Sequence, residues 1–313
     1  MTVALAVVFP GQGSQRLGML ADLANRTALI RNTFNEASEV LSEDLWEITQ
    51  RGPEATLNLT RYTQPAMLVS GIAIWRAVQE LVSQPPRVLA GHSLGEYTAL
   101  VAGGALSFAD AVRLVRLRAD LMQGAVSSGD GGMAAILGLD EAGVQELCAQ
   151  HAGSDVLEAA NFNAPGQIVI AGHAAAVQRA VSGASAAGAR KAVMLSVSVP
   201  AHCSLMQPVG AGLADVLKQI DLRLPAIPVL HNVNASSAGT QSELFDLLLE
   251  QLHRPVRWVE TITRMGKMGV THVLEAGPGR VLTGLGKRID KEIKHSCVED
   301  SKSLEEFISS LGV

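Results

Sequence analysis

The sequence predicts an α/β protein, a hydrolase-like large domain with a parallel sheet into which a small ferredoxin-like domain is inserted. Three observations predict this. Short apolar runs at 3–9 and 87–90 end in glycine-rich turns, the pattern of buried parallel strands with loops at one sheet edge. Helical patterns separate these runs. The stretch 129–199 alone reads strand, helix, strand, strand, helix, strand, which is the ferredoxin-like order.

In chain order, the run 3–9 is the first strand, and Pro10-Gly11-Gln12-Gly13-Ser14 is its loop. Helical patterns fill the chain to about Glu80, and 87–90 is a second short strand. After Gly91 and Gly95, helical sequence resumes to about Gln123. Ser127-Ser128-Gly129-Asp130-Gly131-Gly132 is a hinge. Beyond it come a strand at 133–139, a helix at 141–152, two strands at 156–162 and 167–171 around Asn163-Ala164-Pro165-Gly166, a helix at 174–187 and an alternating strand at 191–199. From Pro200 helix and strand alternate again, with strands at 228–233 and 270–275, the latter feeding Gly277-Pro278-Gly279. The expected boundaries are 1–127 with 200–313 for the large domain and 128–199 for the insert.

Bulk properties narrow the class. Of 313 residues 48% are apolar, enough for a sizeable core, and 30 acidic side chains against 25 basic give a net charge of -5. A nucleic-acid binder would show the opposite excess. Cys148, Cys203 and Cys297 are far apart and form neither a disulfide framework nor a metal-ligand spacing, which fits a reducing compartment. The amino terminus enters its apolar strand with no basic segment before it, so no signal peptide is expected. No apolar run approaches the ~18 residues of a membrane span. The expected location is the cytoplasm, away from membranes.

Gly91-His92-Ser93-Leu94-Gly95 matches G-x-S-x-G between a short strand and a long helix, the context a nucleophile elbow requires. The helix start would bring its dipole and the N–H of Leu94 to a developing oxyanion. Serine needs a base. Of the eight histidines, His151 and His295 lie in polar surroundings and read as exposed, and His92 adjoins the serine and turns away from it. His173, His202, His231 and His272 remain, each near a strand end, with His253 a further position. Residue reasoning does not choose among the four.

In the following helix, Leu114, Leu117 and Leu121 define an apolar stripe, and Arg113, Arg116 and Asp120 group opposite it. Arg118 falls among Leu114, Leu121 and Met122, facing inward. A buried guanidinium needs a partner, and its fork suits a carboxylate. The alternatives are an internal Asp or Glu, a side chain that snorkels out to solvent, or the carboxylate of a dicarboxylic acyl substrate. Glycines at 11–13 and 277–279 complete no dinucleotide fingerprint, and there is no G-K-[ST]. Cys203 beside His202 reads as a small packing residue.

The segments 8–15, 91–96, 161–166, 199–203 and 275–284 together resemble the malonyl-CoA:acyl-carrier-protein transacylases of bacterial fatty acid synthesis, relatives of polyketide synthase acyltransferase domains. The resemblance runs through nearly the whole chain. It implies Ser93 as nucleophile, His202 as its base, the backbone N–H groups of Gln12 and Leu94 as oxyanion hole and Arg118 as partner of the malonyl carboxylate. The family has no triad carboxylate, and the carbonyl that orients its histidine maps to Gln251. Asn161 would stand in the pocket wall. No cofactor and no metal are implied; malonyl-CoA is a substrate and acyl carrier protein the partner. Two departures are visible: His253-Arg254 replaces a common Tyr-Asn pair, and Ala201 stands where a serine or phenylalanine is frequent. The carrier is expected to meet a positive patch of Lys287, Arg288, Lys291 and Lys294, read as one face of a helix after Gly286. A thioesterase and a non-enzymatic docking subunit are the competing readings.

Overall fold

A computed structural model describes residues 3–82, 84–127, 129–197 and 199–311. Five parallel strands form the larger sheet: β1 (Leu5–Phe9), β2 (Val88–Gly91), β7 (Val229–Leu230), β8 (His272–Ala276) and β9 (Lys294–Val298), in the order β7-β2-β1-β8-β9. Strands β1 and β2 are apolar on both faces because both are covered. Leu5, Val7 and Phe9 join Leu89, Leu274 and Ala276 under the long helix Thr60–Gln79 and its neighbours. Ala6 and Val8 join Val88, Ala90 and Val273 under Trp258, Ile262, Leu282 and Leu285. Strand pleating alone sorts these residues into two cores. The register pairs Phe9 with Gly91 and Val8 with Glu275, so three loops leave the sheet together at its carboxyl edge. In open α/β sheets that edge is where ligands bind.

The smaller sheet is antiparallel and drawn entirely from 131–194: β3 (Gly131–Leu137), β4 (Leu157–Ala164), β5 (Gln167–His173) and β6 (Lys191–Met194), in the order β4-β5-β3-β6. Helices Glu141–Ala152 and Ala174–Gly183 cover one face through Ile136, Leu147, Ile170 and Val177. The other face carries Met133 and Val169 and is turned toward the large sheet's carboxyl edge, where both line a cavity. The two units are stitched by main chain. Phe162 donates to the Val256 carbonyl at 2.9 Å, and Val256 donates to Ala160 at 2.9 Å.

Several boundaries differ from the sequence reading. The helical stretch after the elbow is two helices, Gly95–Ala102 and Phe108–Gly124, parted at Gly103-Gly104 and restarted by Ser107, whose hydroxyl accepts from the Asp110 N–H. The strand expected at 228–233 keeps only two residues in the ladder, because His231 and Asn232 turn inward to hydrogen-bond elsewhere. The strand expected at 191–199 ends at Met194, and the helix expected to reach 187 ends at Gly183. Ser128 in the hinge and Ser198 in that last strand lie outside the described residues. Strand β9 was not anticipated. Among the described residues no helix is long and apolar enough to cross a membrane.

Candidate active site

The elbow is as tight as its glycines suggest. A Cβ on Gly91 would stand 1.8 Å from the Gly95 carbonyl carbon, and one on Gly95 would stand 2.0 Å from the Phe9 carbonyl oxygen. No residue with a side chain fits at either place. The turn throws Ser93 into left-handed backbone at φ +52°, which lifts its hydroxyl off the sheet. Asn232 fastens it from below, its Oδ1 accepting from the Ser93 N–H at 2.7 Å and its Nδ2 donating to the Gly91 carbonyl at 2.6 Å.

Of the four histidines, one lies beside Ser93. His202 Nε2 lies 2.7 Å from Ser93 Oγ, and its Nδ1 lies 2.8 Å from the main-chain carbonyl of Gln251. A carbonyl only accepts, so Nδ1 carries the proton and Nε2 is free to receive one from serine. His202 also sits in left-handed backbone, φ +65°, and its N–H donates to Leu252 at 3.1 Å. Burial and, next, the Arg118 charge lower its pKa from 6.5 to about 3, which keeps the imidazole neutral with Nε2 unprotonated.

The other histidines are occupied elsewhere. His92 turns from the serine to Asn163 Oδ1 of the insert, 2.7 Å away. His173 Nδ1 accepts from the Val156 N–H, and His231 meets Glu96. His272 begins β8, at the end of the sheet away from the elbow. His295, expected exposed, is buried, because β9 places it in the sheet with its Nε2 3.3 Å from the Asp290 carbonyl. Cys203 is buried with its Sγ 3.1 Å from the Pro200 carbonyl, and burial pushes its thiol up to about 12, which fits a packing residue.

Arg118 is 1% exposed. The stripe around it differs from the sequence reading: Leu117 and Leu121 are half-buried, while Ala111, Val112, Val115 and Ala119 fill the interior face. Arg116, expected among the solvated charges, is largely covered and pairs with Glu43 at 2.5 Å. The partners of Arg118 are Gln64 Oε1 at 2.8 Å, Gln251 Oε1 at 3.1 Å and Ser93 Oγ at 3.4 Å. No carboxylate of the chain bonds to it among the described residues. The N–H groups of Gln12 and Leu94 likewise donate to no protein acceptor among the described residues. Their loops lie together, since a Cβ on Gly11 would stand 3.7 Å from the Leu94 nitrogen.

These groups open on a cavity of about 230 Å³. Its lining includes Gln12, Gln64, Ser93, Leu94, Arg118, Ala201 and His202 from the large unit, and Met133, Asn161, Gln167, Val169, Leu195 and Val197 from the insert's open face and its exit. Asn161 is among the residues that line this cavity. The expected basic face does not form as one. The helix Val281–Ile289 ends before Lys291, and Lys294 opens β9 opposite His272, at the far edge of the sheet. Lys287 and Arg288 remain adjacent and exposed in the helix's last turn, with Arg288 donating to the Pro165 carbonyl at 3.0 Å. Sequence reasoning missed Gln64, Glu96 and Asn232, and weighed His231 only as a base; all four are buried polar residues that brace the site. It also missed the side chain of Gln251. Glu96 was the one with a visible signal, a charge in a helix start that must pack beneath an elbow.

A neutral histidine against a serine hydroxyl, two free N–H groups beside it and a buried guanidinium 3.4 Å away can together acylate the serine and read a charge on the acyl group. Residues 6–303 match the family model described as "Acyl transferase domain". The malonyl CoA-acyl carrier protein transacylase of Salmonella typhimurium is 47% identical over 299 residues, covering 96% of this chain and 97% of that protein. The crystal structure of an acyl carrier protein S-malonyltransferase from Vibrio cholerae matches with TM-score 0.94 and 49% identity, covering 97% of this chain and 99% of the other. A malonyl-transacylase solved with its type II PKS acyl-carrier protein matches with TM-score 0.96 and 48% identity, covering 98% and 99%.

Proposed function

The chain belongs to the acyl transferase domain family, and from that premise we propose that it transfers a malonyl group from malonyl-CoA to the phosphopantetheine thiol of acyl carrier protein, supplying extension units for fatty acid synthesis in the cytoplasm. The observation that carries the mechanism is Ser93 Oγ, shared between His202 Nε2 at 2.7 Å and Arg118 Nη2 at 3.4 Å. Base and charge reader meet on one oxygen.

In the first half-reaction Ser93 Oγ attacks the thioester carbonyl as its proton passes to His202 Nε2. The tetrahedral oxyanion rests on the N–H groups of Gln12 and Leu94, each such donor contributing a few kcal/mol. Collapse breaks the C–S bond, and the departing coenzyme A sulfur takes the proton from His202. In the second, the carrier's thiol gives its proton to His202 and attacks the seryl ester, and Ser93 recovers its proton as it leaves. Arg118 holds the malonyl carboxylate throughout, and Asn161 shapes the wall. His202 is turned by the Gln251 carbonyl in place of an acid. The chain works as two units, 1–127 with 200–313 and 128–199, whose facing surfaces form the acyl chamber. The carrier docks where Lys287 and Arg288 adjoin the cavity residues Gln167 and Leu285, steered by local positive charge against the net repulsion.

The test is intact-mass analysis after mixing with malonyl-CoA. Wild type gains one malonyl group and loses it to holo carrier; Ser93→Ala gains none. An adduct elsewhere on the chain, or release of free malonate in place of transfer, would overturn this reading in favour of another nucleophile or a thioesterase.

A further inference from the structure

Arg118 is buried, yet among the described residues every hydrogen-bond acceptor it touches is neutral: two glutamine side-chain oxygens and a serine hydroxyl. Among the described residues its Nε has no hydrogen-bond partner, and the guanidinium lies over the Tyr97 ring, 5.3 Å from its centre. An isolated charge in such a place is expensive. The compensating carboxylate lies one side chain further in. Glu96 is fully buried, and three groups converge on its two oxygens: His231 Nδ1 at 2.8 Å, the Asn232 N–H at 2.8 Å and the side-chain nitrogen of Gln251 at 3.2 Å.

The Gln251 amide therefore stands between the two charges, its nitrogen on Glu96 and its oxygen on Arg118. Its orientation is forced, because the same nitrogen donates to the Ser93 carbonyl at 2.8 Å, which only accepts. A flipped amide would lose three bonds at once.

We propose that Glu96 is a positioning residue for acyl selection: it is the counter-charge of Arg118, held one amide away by the Gln251 side chain so that the guanidinium stays oriented while its fork remains open to the substrate's carboxylate. A carboxylate in direct contact would fill that fork and compete with the acyl group. With no internal counter-charge the buried cation would hold any small anion, including the malonate lost by hydrolysis. Gln251 then has two separate duties, its carbonyl orienting His202 and its side chain spacing the charges. Glu96 also reaches the elbow through Asn232, whose side chain holds Ser93 and Gly91.

This rests on the malonyl reading of Arg118. Glu96→Gln is the informative change, because an amide can keep all three bonds. Its oxygen accepts from Asn232 and Gln251, and its nitrogen donates to His231 in the other tautomer. The charge goes and the contacts stay. The readouts are the acylation of Ser93 at varied malonyl-CoA and acetyl-CoA, and competitive inhibition by free malonate. Expected for Glu96→Gln are a malonate inhibition constant and a malonyl-CoA KM both lowered roughly tenfold, with kcat also lowered and the acetyl-CoA KM unmoved. Gln251→Leu keeps the carbonyl and removes the spacer, so Arg118 turns to Glu96 and malonate binds roughly tenfold more weakly. Parallel losses toward both acyl groups with unchanged malonate affinity would make Glu96 a structural residue only and sink the inference. Wild type that forms no malonyl-Ser93 would sink the functional reading instead.

Discussion

Lowering the pH during acylation tests the whole arrangement around His202. An ordinary histidine at pKa 6.5 is only about 3% neutral at pH 5, so a base of that kind would slow roughly thirtyfold between pH 7.5 and 5. His202 is buried beside Arg118, which lowers its pKa to about 3, so at pH 5 nearly all of it is still neutral. The apparent kcat/KM for malonyl-CoA, which reports the free enzyme, is therefore expected to stay within about twofold from pH 7.5 to 5 and to fall only toward 3. Once the malonyl carboxylate partners Arg118, part of the electrostatic depression is lifted, so the pKa seen in kcat should lie above that in kcat/KM. The same shift has a stability consequence with a definite sign. The folded pKa is below the unfolded one, so this contribution is complete above about 6.5 and is lost as pH falls from there toward 3. Quenched-flow intact-mass measurement of Ser93 acylation gives the profile without the carrier protein. A kcat/KM that drops with a midpoint near 6.5 would refute the reasoning, since it would mean that the base is solvated or that Arg118 does not act on it.

Three further outcomes are expected. Arg118→Ala should cost about 10²–10³ in malonyl kcat/KM, the scale of a buried charge pair losing one member, and should erase the preference for malonyl over acetyl in competition assays. Gly95→Ala should destabilise the fold by about 3 kcal/mol or more in denaturant titration, because the new Cβ meets main chain that cannot step aside. Reversing Lys287 to glutamate should slow transfer to the carrier and weaken its salt dependence while acylation by malonyl-CoA stays normal; unchanged transfer would place docking elsewhere.

The sequence made the buried strands and the elbow legible because their physics is local. A run such as 5–9 can only be a doubly covered strand, and Gly91 and Gly95 announce a turn that nothing larger fits. Strand β9 was hidden for the opposite reason. It is an edge strand of sequence Lys294-His295-Ser296-Cys297-Val298, with too little apolar periodicity to separate it from the preceding helix. That error carried over to the basic patch, since helical spacing has no meaning past Ile289. Arg118 showed itself by sitting on the wrong face of its helix. His202 could not be chosen from four by residues alone, because the choice depends on which strand end meets the elbow across 109 positions. The Gln251 side chain was beyond reach for the same reason, and truncating it, which the carbonyl role alone would make harmless, now bears on Arg118, Glu96 and Ser93 together.

The left-handed backbone at Ser93 and His202 sets durability against turnover. Each non-glycine residue in that region costs on the order of 1–3 kcal/mol, repaid by the surrounding contacts. Glycine would sit there more comfortably than the residues the chemistry demands. Ser93→Gly or His202→Gly would therefore relieve backbone strain while extinguishing the reaction. A search for hardier variants of this chain that scored folding alone would be drawn to these two positions, and its gains there would be dead proteins.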